Sequence, residues 1–145
     1  MAKKNIIRVF EGFAGYGGAS FGLKRLKENM PNIEYKVVGY SEFDKFASSL
    51  FDANIKDKNG NSIMNWGDIT QIDPEKLPDF DLFTGGFPCQ PFSTVGKMLG
   101  ELDTRGTLFN DIIRICEYKK PRYILLENVI RYQTKSVFII ILANV

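Results

Sequence analysis

Short apolar runs rich in β-branched and aromatic residues alternate along this chain with segments of helical periodicity, separated by glycine and proline punctuation. Ile6 to Phe10 reads as a strand, interrupted by the glycine-rich stretch Gly12 to Gly18. A helix follows from about Ala19 to Lys27, with Leu23 and Leu26 on one stripe and Pro31 closing it; the neighbouring Gly22 leaves Phe21 without an assigned face. Tyr35 to Tyr40 predicts a second strand, and Asp44 to Phe51 a helix with Phe46, Leu50 and Phe51 expected in the core. A polar turn at Asp57 to Asn61 precedes a weak strand around Ser62 to Trp66. After a loop flanked by Pro74 and Pro78, a strand is expected at Asp81 to Thr84. Gly85 to Gly106 has little periodicity, and a connection that long in a compact domain is often functional. A helix from Leu108 to Tyr118, with Leu108, Ile112 and Ile115 as its stripe, leads to a strand at Tyr123 to Leu126. The apolar stretch Ser136 to Val145 fits the start of a further helix or strand, and an exposed apolar end of that kind expects a partner or marks a truncation.

Alternating strands and helices predict an α/β fold, a doubly wound and mostly parallel sheet. Ligands of such sheets sit at the carboxyl ends of the strands. The chemically informative residues fall there: Gly15 after the first strand, Glu42 after the second, Asp68 after the third, Cys89 after the fourth and Glu127 after the fifth.

Bulk properties narrow the function classes. The 145 residues suit one domain, and 19 basic against 17 acidic residues give a net charge of +2, too small to argue for a nucleic-acid partner without local clustering. Two cysteines, Cys89 and Cys116, make no disulfide framework, and no run reaches the roughly 20 apolar residues of a membrane span. A cytoplasmic location with no membrane partner is expected. The chain has no histidine, which removes the commonest general base and the usual histidine-bearing metal sites. No metal is therefore expected, and the chemistry falls to carboxylates, a thiol, amides and backbone.

The glycine loop permits a tight turn and close approach of a ligand to backbone. Counted from Gly15 it departs from the dinucleotide pattern at Ser20, and no lysine follows at the phosphate-gripping position, so a nucleoside-type ligand without pyrophosphate fits better. Glu42 could accept hydrogen bonds from ribose hydroxyls or be a solvated acid near a helix start. Phe43 could cover a purine face or belong to the core, and Asp68 could meet a ligand or cap a turn. Cys89, fixed behind Pro88 at a strand end and flanked by Gly, Pro and Gln, is placed to be an attacking thiolate, whereas Cys116 in an apolar helix reads as inert core. Glu127 alone reads as a surface acid before a turn-forming Asn128; paired with Cys89 it could serve a nucleophile and a proton donor acting on one ring.

These motifs together resemble the DNA cytosine-5 methyltransferase family. Phe13-Ala14-Gly15-Tyr16-Gly17-Gly18 is similar to its cofactor glycine loop, Glu42-Phe43 to its ribose acid and adenine-stacking residue, and Gly67-Asp68-Ile69 to the motif that meets the adenine amino group. Gly85 to Gln90 resembles the Pro-Cys nucleophile motif, Asp103 to Leu108 the next motif, whose Leu108 would line the cofactor pocket, and Glu127-Asn128-Val129 the motif that handles the target base. The resemblance implies a Rossmann-like S-adenosylmethionine-dependent methyltransferase fold, with double-stranded DNA as substrate. It implies Cys89 as nucleophile, Glu127 at the base, Asn128 positioning Glu127 and Pro88 shaping the backbone. Cofactor contacts would come from Phe13, Ala14, Gly15, Gly17, Gly18, Glu42, Phe43, Asp68, Ile69 and Leu108.

The family's later elements, an arginine-bearing motif, a variable target-recognition region and C-terminal motifs, are not seen after Glu127. Residues 1–145 are accordingly read as the N-terminal part of the catalytic domain, with the target-recognition domain absent. A split-enzyme subunit completed by a second chain, an interrupted gene product and a fragment all fit, and the chain by itself is expected to be inactive. A tRNA cytosine-5 methyltransferase and a non-catalytic cofactor-binding module are the alternatives; a nicotinamide-linked oxidoreductase would leave the Pro-Cys and Glu-Asn elements unexplained.

Overall fold

The computed structural model describes residues 6–87, 104–129 and 137–143. Its five-stranded sheet comprises β1 (Ile6–Gly12), β2 (Glu34–Ser41), β3 (Leu82–Gly86), β4 (Tyr123–Val129) and β5 (Val137–Ala143), in the order β2-β1-β3-β4-β5. The first four are parallel and β5 lies antiparallel to β4. The helices are α1 (Gly18–Asn29), α2 (Lys45–Asn54) and α3 (Thr104–Lys119), with short 3-10 turns at Ile69–Gln71 and Pro74–Lys76. The expected mostly parallel α/β sheet is observed, and the apolar stretch after Ser136 is a strand.

Strand pairing sorts side chains onto two faces, because successive residues of a strand alternate. Phe10, Phe83 and Ile124 stand in register across β1, β3 and β4. They pack with Phe80, Ile69, Ile72 and Leu77 and with Ile112, Ile115 and Cys116 of α3. Of the expected α3 stripe Ile112 and Ile115 are buried and Leu108 is half-buried against the same core, and Cys116 is core, its thiol pushed up to about 12 by burial. Glu11, Thr84 and Leu125 form the in-register row on the other face. Register at the opposite end of the strands is pinned by Asp81, whose carboxylate accepts from the Arg8 main-chain N–H and guanidinium at 2.9–3.0 Å.

Three expectations are corrected. Of the α2 residues expected in the core, only Phe51 is buried, stacked on Tyr40 with ring centroids 3.8 Å apart; Phe46 and Leu50 are exposed. Phe46 and Leu50 share one helical face by their four-residue spacing, and the helix turns the Phe51 face to the sheet. Along α1 only Ser20 is buried, Leu23 is half-buried, and Leu26 and Phe21 are exposed. Finally, Ser62 to Trp66 makes only isolated bridges, Lys56 with Ser62 and Tyr40 with Asn65. The third strand is consequently Leu82–Gly86, and Asp68 follows a bridge rather than a strand.

The two aromatic residues of α2 should respond very differently to truncation. Phe51→Ala should cost about 3–5 kcal/mol in urea unfolding, as expected for deleting a buried ring. Phe46→Ala should stay within about 0.5 kcal/mol, the range for exposed sites.

Candidate active site

Connections from β1 to β2 and back to β3 leave opposite sides of β1, so β1 and β3 are neighbours whose following segments diverge. Crevices form at such crossing points, beyond the carboxyl ends of the strands. A cavity of about 480 Å³ lies there, within the usual range for a small-molecule site. The end of β1, the glycine loop, the end of β3, and Leu125 and Glu127 of β4 form its walls.

The glycine loop has an unusual backbone. Phe13 and Gly15 hold positive φ of 51° and 55°, and Gly17, the residue before α1, holds 98°. A left-handed conformation at a residue with a side chain costs energy, so Phe13 must be held by its surroundings. The end of β2 supplies the restraint: Ala14 N–H donates to the Ser41 carbonyl at 3.0 Å, and Gly15 N–H donates to Glu42 Oε2 at 2.8 Å. Glu42 Oε1 accepts from Asp44 N–H at 2.8 Å. The carboxylate predicted to face a ribose thus also ties the glycine loop down. Each of its oxygens retains a second lone pair for a ligand hydroxyl.

Beneath the loop lies an acid that sequence reading passed over. Glu11 is 2% exposed, and its carboxylate accepts from Ala19 N–H at 3.0 Å and from the Ser20 hydroxyl at 2.6 Å. Burial raises its pKa, and the hydrogen bonds from Ser20 and Ala19 pull it back in part. A free helix N-terminus attracts anions. Here a protein carboxylate already occupies that place, so a pyrophosphate would meet a negative charge instead of unsatisfied N–H groups. The available signal was an acid at the end of β1, on the same face as Val9, immediately before the glycines.

Further along the cavity, Glu127 passes over Gly86: a Cβ at Gly86 would stand 3.0 Å from Glu127 Oε2. A residue with a side chain there would displace the carboxylate. Thr84, beside Glu11 in the sheet, is also 2% exposed and lines the cavity; its buried hydroxyl has no hydrogen-bond partner among the described residues. Thr84 and Leu125 were likewise not singled out by sequence, since on their own they are ordinary strand residues.

The cavity brings together Phe13, Ala14, Gly15, Gly18 and Glu127 of the expected site. Glu42 joins through Gly15. Gly17 does not line it; a Cβ there would come within 2.9 Å of Ile55 and 3.2 Å of Phe51, so this glycine serves the packing of α2. Phe43 is 78% exposed beside Glu42, while Ile69 is buried and Leu108 packs against the same core. Asp68 is exposed, and its Oδ1 accepts from the Thr70 N–H and hydroxyl, both at 2.9 Å, as a turn cap. Pro88 and Cys89, and the side chain of Asn128, lie outside the described residues. No described helix is long and apolar enough to cross a membrane.

The parallel sheet, the crossing-point cavity and the glycine loop tied to an acid at the end of β2 define a Rossmann-like S-adenosylmethionine-dependent methyltransferase fold. A family model for the C-5 cytosine-specific DNA methylase matches residues 7–141, and the chain belongs to that family. It is 44% identical over 127 residues to the type II methyltransferase M1.ScrFI of Lactococcus lactis subsp. cremoris, covering 88% of this chain and 30% of the relative. To the type II methyltransferase M.HaeII of Haemophilus aegyptius it is 45% identical over 122 residues, covering 84% and 34%. Among solved structures, S. pombe Dnmt2 methyltransferase superposes with a TM-score of 0.62 at 28% identity, covering 85% of this chain and 36% of that one. The chain therefore spans about a third of each of these proteins. Enzymes of this family use S-adenosylmethionine as methyl donor.

Because the folded-state pKa of Glu11 is raised, its contribution to stability is fully present below the unfolded-state pKa and lost as pH rises through the folded value. Glu11→Gln keeps an acceptor for Ala19 and offers a donor to Ser20 without the charge. The urea midpoint of the wild type should fall relative to this variant from pH 4 to pH 7. A difference that stays constant over that range would exclude a raised pKa.

Proposed function

We propose that this chain is the cofactor-binding and nucleophile-bearing part of a DNA cytosine-5 methyltransferase. The observation that carries the reading is the crossing-point cavity. The glycine loop forms one wall, Glu127 stands in another, and Cys89 follows the end of β3 by three residues in the sequence. The residues present fit S-adenosylmethionine: a strained loop without obstruction at Gly15 and Gly18, a carboxylate at the end of β2, and a helix N-terminus closed to phosphate. Glu42 would hold the ribose hydroxyls, Phe43 would cover the adenine, and Asp68, Ile69 and Leu108 would border it. Main-chain groups of Phe13 to Gly18 would hold the amino-acid end. When bound, the cofactor supplies an electrophilic methyl group.

The chain's own residues act on the cytosine. A base flipped from double-stranded DNA enters the cavity, at a cost of a few kcal/mol for lost stacking and pairing. The Cys89 thiolate adds to C6, and Glu127 holds or protonates N3, which raises electron density at C5. Once C5 carries the methyl group, the C5 proton passes to water, N3 returns to Glu127 any proton it took, and expulsion of the Cys89 thiolate restores the aromatic ring. Asn128 would position Glu127, and Pro88 would shape the backbone beside the base. A second chain carrying target-recognition and C-terminal motifs would be the partner that reads DNA. A tRNA substrate is the second reading; the family match and the type II relatives favour DNA.

Duplex DNA with 5-fluorocytosine at the target should trap a covalent adduct in the presence of S-adenosylmethionine, since fluorine does not leave as the proton does. Peptide mapping should place it on Cys89, with none formed by Cys89→Ala. The assay is run with this chain alone and with a chain supplying the recognition motifs. An adduct on Cys116, or none under either condition, overturns the proposed chemistry.

A further inference from the structure

Residues 64–66 run beside the end of β2. Tyr40 N–H donates to the Met64 carbonyl at 3.0 Å, and Trp66 N–H donates to the Tyr40 carbonyl at 2.7 Å. Beyond that bridge main-chain pairing stops, and the side chain of Asn65 takes over. Glu42 N–H donates to Asn65 Oδ1 at 3.1 Å, and Asn65 Nδ2 donates back to the Glu42 carbonyl at 2.9 Å. The same Oδ1 accepts from Gly67 N–H at 2.9 Å, and the Ser41 hydroxyl donates to the Gly67 carbonyl at 2.7 Å. A carboxamide carries the donor and acceptor of a peptide group, so Asn65 satisfies Glu42 as one more ladder residue would.

We propose that Asn65 is a positioning residue of the cofactor site. Its one amide fixes both main-chain groups of Glu42 and the N–H of Gly67, the residue that turns the chain with φ 69° just before Asp68. It thereby sets the separation between the ribose-facing carboxylate and the adenine-facing loop. Through the bond from Gly15 N–H to Glu42, it also sets where both stand relative to the glycine loop. The proposal rests on the reading of Glu42 as the ribose ligand. Aspartate at this position could keep the two acceptor bonds but would lose the donor to the Glu42 carbonyl and bring a negative charge beside it. Alanine would lose all three bonds.

The test is calorimetric titration of the wild type, Asn65→Ala and Asn65→Asp with two ligands, S-adenosylhomocysteine and its 2′,3′-dideoxy analogue, with thermal unfolding measured alongside. The wild type should prefer the ligand with hydroxyls. Asn65→Ala should weaken S-adenosylhomocysteine by about tenfold, the order expected for disturbing a hydrogen bond to a charged group, and weaken the dideoxy analogue far less. Asn65→Asp, which keeps the acceptor side, should fall between. Combining Asn65→Ala with Glu42→Ala should reduce the hydroxyl preference no further than Glu42→Ala does, because both act on that preference through the same carboxylate. A purely structural role predicts equal weakening of both ligands, and that result, or unchanged affinities, overturns the proposal. A hydroxyl preference that survives in both variants overturns the proposal alone. A wild type with no such preference overturns the ribose reading of Glu42 and the proposal together.

Discussion

The arrangement of this site depends on one buried carboxylate. Glu11 emerges from β1, an interior strand, where water is excluded, and an ionised acid there is costly unless donors surround it. Those donors are the first N–H groups of α1 and the Ser20 hydroxyl. The acid therefore fixes where the helix begins, and with it the span that the glycine loop must bridge between Gly12 and Gly18. That short span demands left-handed backbone at Phe13, Gly15 and Gly17. It also leaves the helix dipole internally compensated by a protein carboxylate.

The end of β2 stands behind the glycine loop and holds that wall of the cavity in place. Ser41 and Glu42 restrain the glycine loop, and Asn65 restrains Glu42 in turn. A carboxylate already bonded to two main-chain N–H groups is held in one orientation before any ligand arrives. Less rotamer freedom is then lost on binding than for a free glutamate. The same economy appears at the strand ends. The Phe83 ring lies under Gly12 and Gly85, where a Cβ would stand 2.6 Å and 3.1 Å from it, and Gly86 leaves the space that Glu127 occupies. Glycine at these positions lets a large core ring support the cavity floor from below while the other face stays open.

Much of this was legible in the sequence because strand and helix periods are local. The strands at Ile6, Tyr35, Asp81 and Tyr123, the α3 stripe and the inert Cys116 follow from residue spacing alone. So does the gathering of Gly15, Glu42 and Glu127 at strand ends, since parallel strands in an alternating pattern put their carboxyl ends on one side. What periodicity left open was which face of α2 meets the sheet. Phe46, Leu50 and Phe51 are all apolar, and only the packing of Tyr40 against Phe51 selects between them.

Sequence by itself determined the alternation of elements, the family and the order of its motifs, because each is encoded within a few consecutive residues. Tertiary structure alone decided the surroundings of Glu11, Thr84 and Asn65. The partners of Glu11 and Asn65 lie on other elements or across a tight loop, Ala19 and Ser20 for the first and Glu42 for the second, and only the cavity shows that the Thr84 hydroxyl is buried at its wall. A carboxylate, a hydroxyl and an amide are common surface groups. Their meaning here comes from removal from water and from the few donors and acceptors that chain crossing places within reach.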